Sequence, residues 1–199
     1  MTIPEPQSPV FYSGLSAGQF LPYFQSQLPD HPQGCGPFAI AMAANLHNRT
    51  HPGSNFQGSQ VEAFLERKGL KIHGFGMPTW LGYGKALRHF VGGKVQYKSH
   101  ASIRDLLAAI KNNQLVVVAI SWETTWQIFH DLRHATVGHY MVAVGFETQC
   151  EQLYFLNPAL SASDGATQLS SWKMQDFDKN WNGTWNIFIR QGSMWTISS

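Results

Sequence analysis

The sequence predicts an α+β domain in which a helix-rich first half packs on an antiparallel sheet supplied by the second half. Three observations predict it. Ala-rich or amphipathic segments suited to helices crowd the stretch before Asn112. Short Val-, Ile- and aromatic-rich segments suited to strands follow from Leu115 onward. Gly, Pro and Asn signals separate these segments, and there is neither an internal repeat nor a low-complexity linker. A chain of 199 residues with 43% hydrophobic content fits one such domain.

Residues 1–20 read as an irregular N-terminal arm, and residues 21–199 as the domain. Leu21-Pro22-Tyr23-Phe24 is apolar and reads as a short strand ahead of a loop. Phe38 to His47 is Ala-rich and apolar, and the helix is expected over 36–48, with Pro37 in its first turn. Asn48-Arg49-Thr50-His51-Pro52-Gly53-Ser54 is a loop signal. Ser59-Gln60-Val61-Glu62 has capping-box form and starts a helix to about Lys68, stopped by Gly69. Gly74 to Gly84 scatters Phe75, Met77, Pro78 and Trp80 among glycines, which suits either a cleft wall or a buried loop. Leu81 to Phe90 reads as a short helix closed by Gly92-Gly93.

Ser102 to Lys111 places Ile103, Leu106, Leu107 and Ile110 on one helical face. Leu115 to Ser121 is a continuous apolar run and therefore a central strand. Trp122 to Ala135 holds His130 and His134, which would share a helix face. No Glu follows His130 as zinc-peptidase chemistry requires, so the segment reads as a loop or short helix beside a cleft. Val137 to Phe146 and Leu153 to Leu156 read as two strands of a hairpin turning through 147–151. Ala159 to Gly165 is a small-residue loop, Thr167 to Trp172 a strand, and Trp172 to Phe177 with Trp181 a helical turn. Trp185 to Arg190 and Met194 to Ile197 read as a closing hairpin.

Two places carry chemistry. Cys35 stands between Gly34 and Gly36 at the start of the first long helix, with Gln27 eight residues ahead of it. Unsatisfied N–H groups at a helix start favour a thiolate, so a lowered thiol pKa is expected there. His139 lies near the start of the predicted strand 137–146, and Asn157 near the end of the next, at an Asn-Pro turn. Antiparallel pairing sets those two ends side by side. An imidazole beside an amide has its ring held and its tautomer fixed.

With these residues in view, the chain resembles the papain-like cysteine peptidases and, within them, the C39-like group. The resemblance rests on Gln27 through Leu46, on Gly138 through Gly145 and on Asn157-Pro158; the rest agrees in the order and spacing of elements. It implies a papain-like fold, with Cys35 as nucleophile, His139 as general base and Asn157 as the residue that orients His139. Gln27 would complete an oxyanion hole with the Cys35 N–H, although Gln25 and Gln33 stand close by. Asn157 occupies a place where many C39-like members have Asp, and papain-like enzymes also use Asn. C39 peptidases proper are usually fused to a membrane transporter, which this chain does not contain. The implied activity is hydrolysis of an amide bond in a peptide or protein substrate through an acyl-thioester, with no cofactor. Acyl transfer, deamidation, a non-catalytic binding module and a redox-sensing thiol are the competing readings.

Composition narrows the partners. A formal net charge of +2, without a Lys/Arg cluster, disfavours nucleic acid. No run approaches the ~20 apolar residues of a membrane helix. Met1 to Val10 has neither a basic nor an apolar region, so a cytoplasmic protein, or export without a Sec signal peptide, is expected. An effector of bacterial type is compatible with that, and oligomeric state is left open. Two cysteines make no disulfide framework, and both are expected to be free.

Overall fold

A computed structural model describes residues 8–32, 34–49, 55–70, 80–120, 138–182 and 191–198, with only the backbone of Trp80 and Leu81. Its first long element is α1 (Cys35–Asn48), flanked by α2 (Gly58–Arg67) and α3 (Trp80–Val91). Every residue of α1 from Cys35 to His47 is buried. An Ala-rich helix that is apolar on all sides is expected at the centre of a core, and α1 packs on α2, on α3 and on the sheet. The helix α4 (Ile103–Lys111) is amphipathic as the spacing predicts. Ser102 Oγ accepts from Asp105 N at 3.3 Å, and Asp105 Oδ2 accepts from Ser102 N at 2.8 Å, closing its capping box.

Among the described residues the strands are β1 (Val10–Phe11), β2 (Lys94–Lys98), β3 (Leu115–Ile120), β4 (His139–Glu147), β5 (Gln152–Leu156), β6 (Ser170–Lys173) and β7 (Ser193–Ser198). They form one antiparallel sheet in the order β2-β7-β3-β4-β5-β6, and β1 pairs with β4 beyond the residues β3 covers. Leu115, Val117, Ala119, Val142 and Val144 face α1. Val116, Val118, Met141 and Ala143 face the opposite way, towards α4 and towards α6 (Met174–Asn182). A register shift between Ala143 and Gly145 reverses this alternation, so Phe146 lies on the α4 side rather than with Val142 and Val144. At the shift, a Cβ on Gly145 would overlap the ring of Phe11.

The sheet is thus covered on both faces, and β1 and β2 bring first-half residues into it. The expected division into a helical half and a sheet half is therefore not strict. The arm is not irregular throughout either: Val10 pairs with Phe146 and Phe11 with Gly145, because two apolar residues can extend an open edge of β4. Leu21–Tyr23 is a 3₁₀ turn instead of a strand, since Pro22 suits a first helical turn and cannot donate to a ladder. The cap of α2 begins at Gln57, where Gln60 Oε1 accepts from Gln57 N at 2.9 Å, in place of Ser59. Lys94–Lys98 was legible as neither helix nor strand, being mostly polar, and pairs with β7 along its whole length. Ala162–Gly165, in the predicted loop, is a single turn, α5, capped by Ser161 Oγ accepting from Asp164 N at 3.1 Å. Of the expected closing hairpin, Trp185 to Arg190 lies outside the described residues, as do Phe75, Met77, Pro78, His130 and His134.

Candidate active site

Cys35 is the first residue of α1, and Pro37 sits in the first turn, where its missing N–H leaves no bond unmade. The N–H groups of Tyr140, Gly36 and Cys35 itself favour negative charge on the sulfur. The helix start therefore acts as the sequence suggests. Burial nonetheless outweighs it: Cys35 is 8% exposed, and its thiol is pushed up, not down. Removing a thiolate from water costs more than three peptide dipoles return when, as among the described residues, no cation acts on it. The Cys35 S–H points to Gly138 O, with Sγ 3.7 Å away. The sulfur thus lies against the backbone at the beginning of β4.

His139 is the first residue of β4, pairing with Ile120 of β3. Val142 pairs with Leu156, so the β4–β5 hairpin brings the residue after Leu156 back beside the start of β4. The result is a contact of 2.7 Å between His139 Nε2 and Asn157 Oδ1. Asn157 Oδ1 also accepts from Ala159 N at 3.0 Å, an Asx turn that fixes which end of the amide faces the ring. An oxygen at that position requires Nε2 to carry the proton. Nδ1 is then the basic nitrogen of the neutral ring. Burial pulls the His139 pKa down to about 4, with the Asn157 bond opposing it. At neutral pH the His139 imidazole is uncharged, and the raised pKa of Cys35 favours its thiol form.

Gln27 and Gln25 separate cleanly. Gln25 Nε2 donates to Phe56 O at 2.8 Å, and Gln25 Oε1 accepts from Gly58 N at 2.8 Å, so both ends of its amide hold the start of α2. Gln27, 6% exposed, donates its backbone N–H to Pro158 O at 2.9 Å, one residue past Asn157. Its Nε2 donates to Pro32 O at 2.8 Å, while Oε1 is buried and has no hydrogen-bond partner among the described residues. Turning the amide over would set Oε1 against Pro32 O, so the donor end is fixed, and Nε2 retains a second N–H. Gln33 lies outside the described residues.

The structure thus links the four sequence-predicted residues through short contacts: Gln27 to Pro158, Asn157 to His139, and Cys35 to the residue preceding His139. Sequence reading does not single out Tyr83, on α3. Its hydroxyl donates to Gly36 O at 3.4 Å, and its ring stacks on Tyr140 with centroids 4.4 Å apart. Nothing in the local pattern distinguishes it from an ordinary core aromatic. The second oxygen contact of Asn157, by contrast, is foreshadowed by the Asn-Pro turn. Cys35 and Cys150 are both unpaired, the first buried and the second exposed. Among the described residues no group of three His, Cys, Asp or Glu is gathered to hold a metal ion. No described helix is long and apolar enough to cross a membrane.

The fold is that of a proposed C39-like peptidase from Bacillus anthracis, known from its crystal structure. The two superpose with a TM-score of 0.61 over 97% of this chain and 98% of that one, at 15% sequence identity. Among curated protein sequences none matches this chain. The model of the Peptidase_C39 like family matches residues 19–188, a span that includes both ends of the cluster just described. This chain belongs to the Peptidase_C39 like family.

Proposed function

We propose that this protein is a cysteine-dependent hydrolase of peptide amide bonds, working through Cys35, His139, Asn157 and Gln27. The observation that carries the reading is the 2.7 Å contact between His139 Nε2 and Asn157 Oδ1, placed where Cys35 Sγ meets the strand that His139 begins. It leaves Nδ1 as the base and supports a mechanism that starts from neutral partners. Cys35 Sγ attacks the substrate carbonyl carbon as Nδ1 takes the thiol proton. The carbonyl electrons move onto oxygen, where the Cys35 N–H and the second Gln27 Nε2–H stabilise them. The tetrahedral species collapses, the carbon–nitrogen bond breaks, and imidazolium protonates the leaving amine. Water then attacks the thioester with His139 again as base, releasing the acid and restoring the thiol. The low proton affinity of His139 makes it a weak base in the resting enzyme but a strong proton donor to the leaving amine.

The test is exposure of a proteome-derived peptide library to wild type, Cys35→Ala and His139→Ala, with products read by mass spectrometry. New peptide termini with wild type only, and an acyl adduct on Cys35 trapped by acid quench, are expected. Side-chain amides converted to acids, or acyl groups moved to amines, without new termini, would replace hydrolysis by deamidation or acyl transfer. No change with any variant would favour a binding module.

A further inference from the structure

The loop from Gln27 to Cys35 is closed on itself by main-chain bonds that converge on His31. His31 N donates to Gln27 O at 2.8 Å, and His31 O accepts from Gly34 N at 2.8 Å. The same loop receives the Gln27 side chain, through Nε2 and Pro32 O at 2.8 Å. The Gln27 end of the loop is held by Pro158 O, while the His31–Pro32 end, which carries the acceptor of the Gln27 amide, is held by side-chain contacts. Its side-chain tie to the helical layer runs through the same histidine. His31 Nδ1 lies 2.6 Å from Glu62 Oε2, on α2, and the His31 ring packs on Phe38, in the first turn of α1, with centroids 5.3 Å apart. The Glu62 carboxylate is well shielded at 13% side-chain exposure, while the His31 ring is 34% exposed. Phe38 in turn fills the space over Gly58, at the start of α2, where a Cβ would collide with its ring.

We infer that His31 is a positioning residue: its bond to Glu62 anchors the Gln27–Gly34 loop to α2 and thereby sets where the Gln27 amide donor stands relative to Cys35. This rests on the function proposed above, in which Gln27 stabilises the oxyanion. α2 contributes no group to the chemistry, yet through this contact its position governs an interaction made only as charge develops. Such an interaction is sensitive to small displacements, because an oxyanion donor acts only near 3 Å from the oxygen. Losing it lowers kcat and leaves substrate binding nearly untouched.

The experiment compares Glu62→Ala, Glu62→Gln and Gln27→Ala, alone and with Glu62→Ala added to Gln27→Ala. Glu62→Ala is expected to lower kcat by roughly five- to fiftyfold with KM held within about twofold. Glu62→Gln, which still offers an acceptor oxygen to His31 Nδ1–H, should restore most of the rate. In the Gln27→Ala enzyme, adding Glu62→Ala should cost nothing more, since the pair acts through Gln27. Hydrogen exchange supplies a readout that does not need turnover: the His31 and Gly34 amides should exchange faster in Glu62→Ala, while those of β3 are unchanged. Unchanged exchange in the loop overturns the anchor. Faster exchange with unaltered kcat overturns the positioning role and leaves a structural tie. Equal losses with and without Gln27 also overturn it. Hydrolysis that survives Cys35→Ala would sink the proposed function, and the exchange result would still decide whether the anchor exists.

Discussion

Gln27 donates its backbone N–H to Pro158 O at 2.9 Å, so the loop before the nucleophile is stitched to the turn that follows Asn157. Residues separated by most of the chain thereby share one rigid junction. On one side stands the amide assigned to the oxyanion, and on the other the amide that holds the imidazole.

That imidazole gives the first prediction. Asn157→Ala should lower kcat by about ten- to a hundredfold, less than His139→Ala, because the ring loses its orientation but not its basicity. Asn157→Asp should retain activity, while its carboxylate raises the His139 pKa. The acid limb of the kcat/KM profile should therefore move to higher pH in the Asp variant. An acid limb that stays in place would remove Asn157 from contact with the catalytic base.

The second prediction concerns pH. The proposed mechanism needs a neutral His139, and its folded-state pKa is about 4, so turnover should persist in mild acid and fall only as pH drops through that value. Stability behaves differently. The unfolded chain takes the proton near pH 6.5, before the folded protein does. Stability is complete above pH 6.5 and is lost as pH falls from 6.5 towards 4, on the order of 3 kcal/mol from this group. Urea titrations at pH 7 and pH 4.5 should show the difference, and His139→Asn should reduce it. Equal pH dependence in the two proteins would refute the assignment.

Two glutamines two residues apart should fail in different ways. Gln27→Ala should reduce kcat roughly a hundredfold while leaving the melting temperature close to wild type. Gln25→Ala strands the N–H of Gly58 and should cost about 1–3 kcal/mol of stability with little change in kcat. Thermal denaturation beside steady-state kinetics separates them, and the reverse pattern would show that the wrong amide has been given the catalytic role.

Gly145→Ala should destabilise the fold by about 1–3 kcal/mol, because the new Cβ would overlap Phe11 and push β1 off β4. Phe11→Ala introduced with it should recover part of the loss. Additive losses in the double variant would mean that the two residues do not compete for that space.

How much of this was legible in the sequence depends on how local the signal is. α1 was readable to within a residue, because its Ala content and Pro37 state both its burial and its start. The β4–β5 hairpin was readable too, and with it the approach of His139 to Asn157, since two strands joined by a short turn bring those ends together, whereas the register shift after Ala143 left no sequence signal. β2 escaped because a strand of Lys, Gln and Tyr declares itself only by pairing with β7. The resemblance favours Gln27 over Gln25 by its spacing to Cys35, but spacing alone does not say what either side chain bonds. What separates them is where Phe56, Gly58 and Pro158 lie, and those are long-range facts. The sign of the Cys35 shift was misjudged for a related reason: the helix terminus is visible in sequence, whereas the burial that overrides it is set by β4.

The order of the cluster along the chain has a consequence for how the protein is made. A ribosome-bound chain that has extended through β3 already contains the thiol and the helix that carries it, but neither His139 nor Asn157 has been synthesised. The ring can be oriented only after β5 has been added and the turn at Asn157-Pro158 has met Gln27. On the function proposed above, the thiol has no base until β4 and β5 have been added and paired, so a nascent chain crowded among other unfolded peptides would acquire its reactivity after α1 and β3 are already in place.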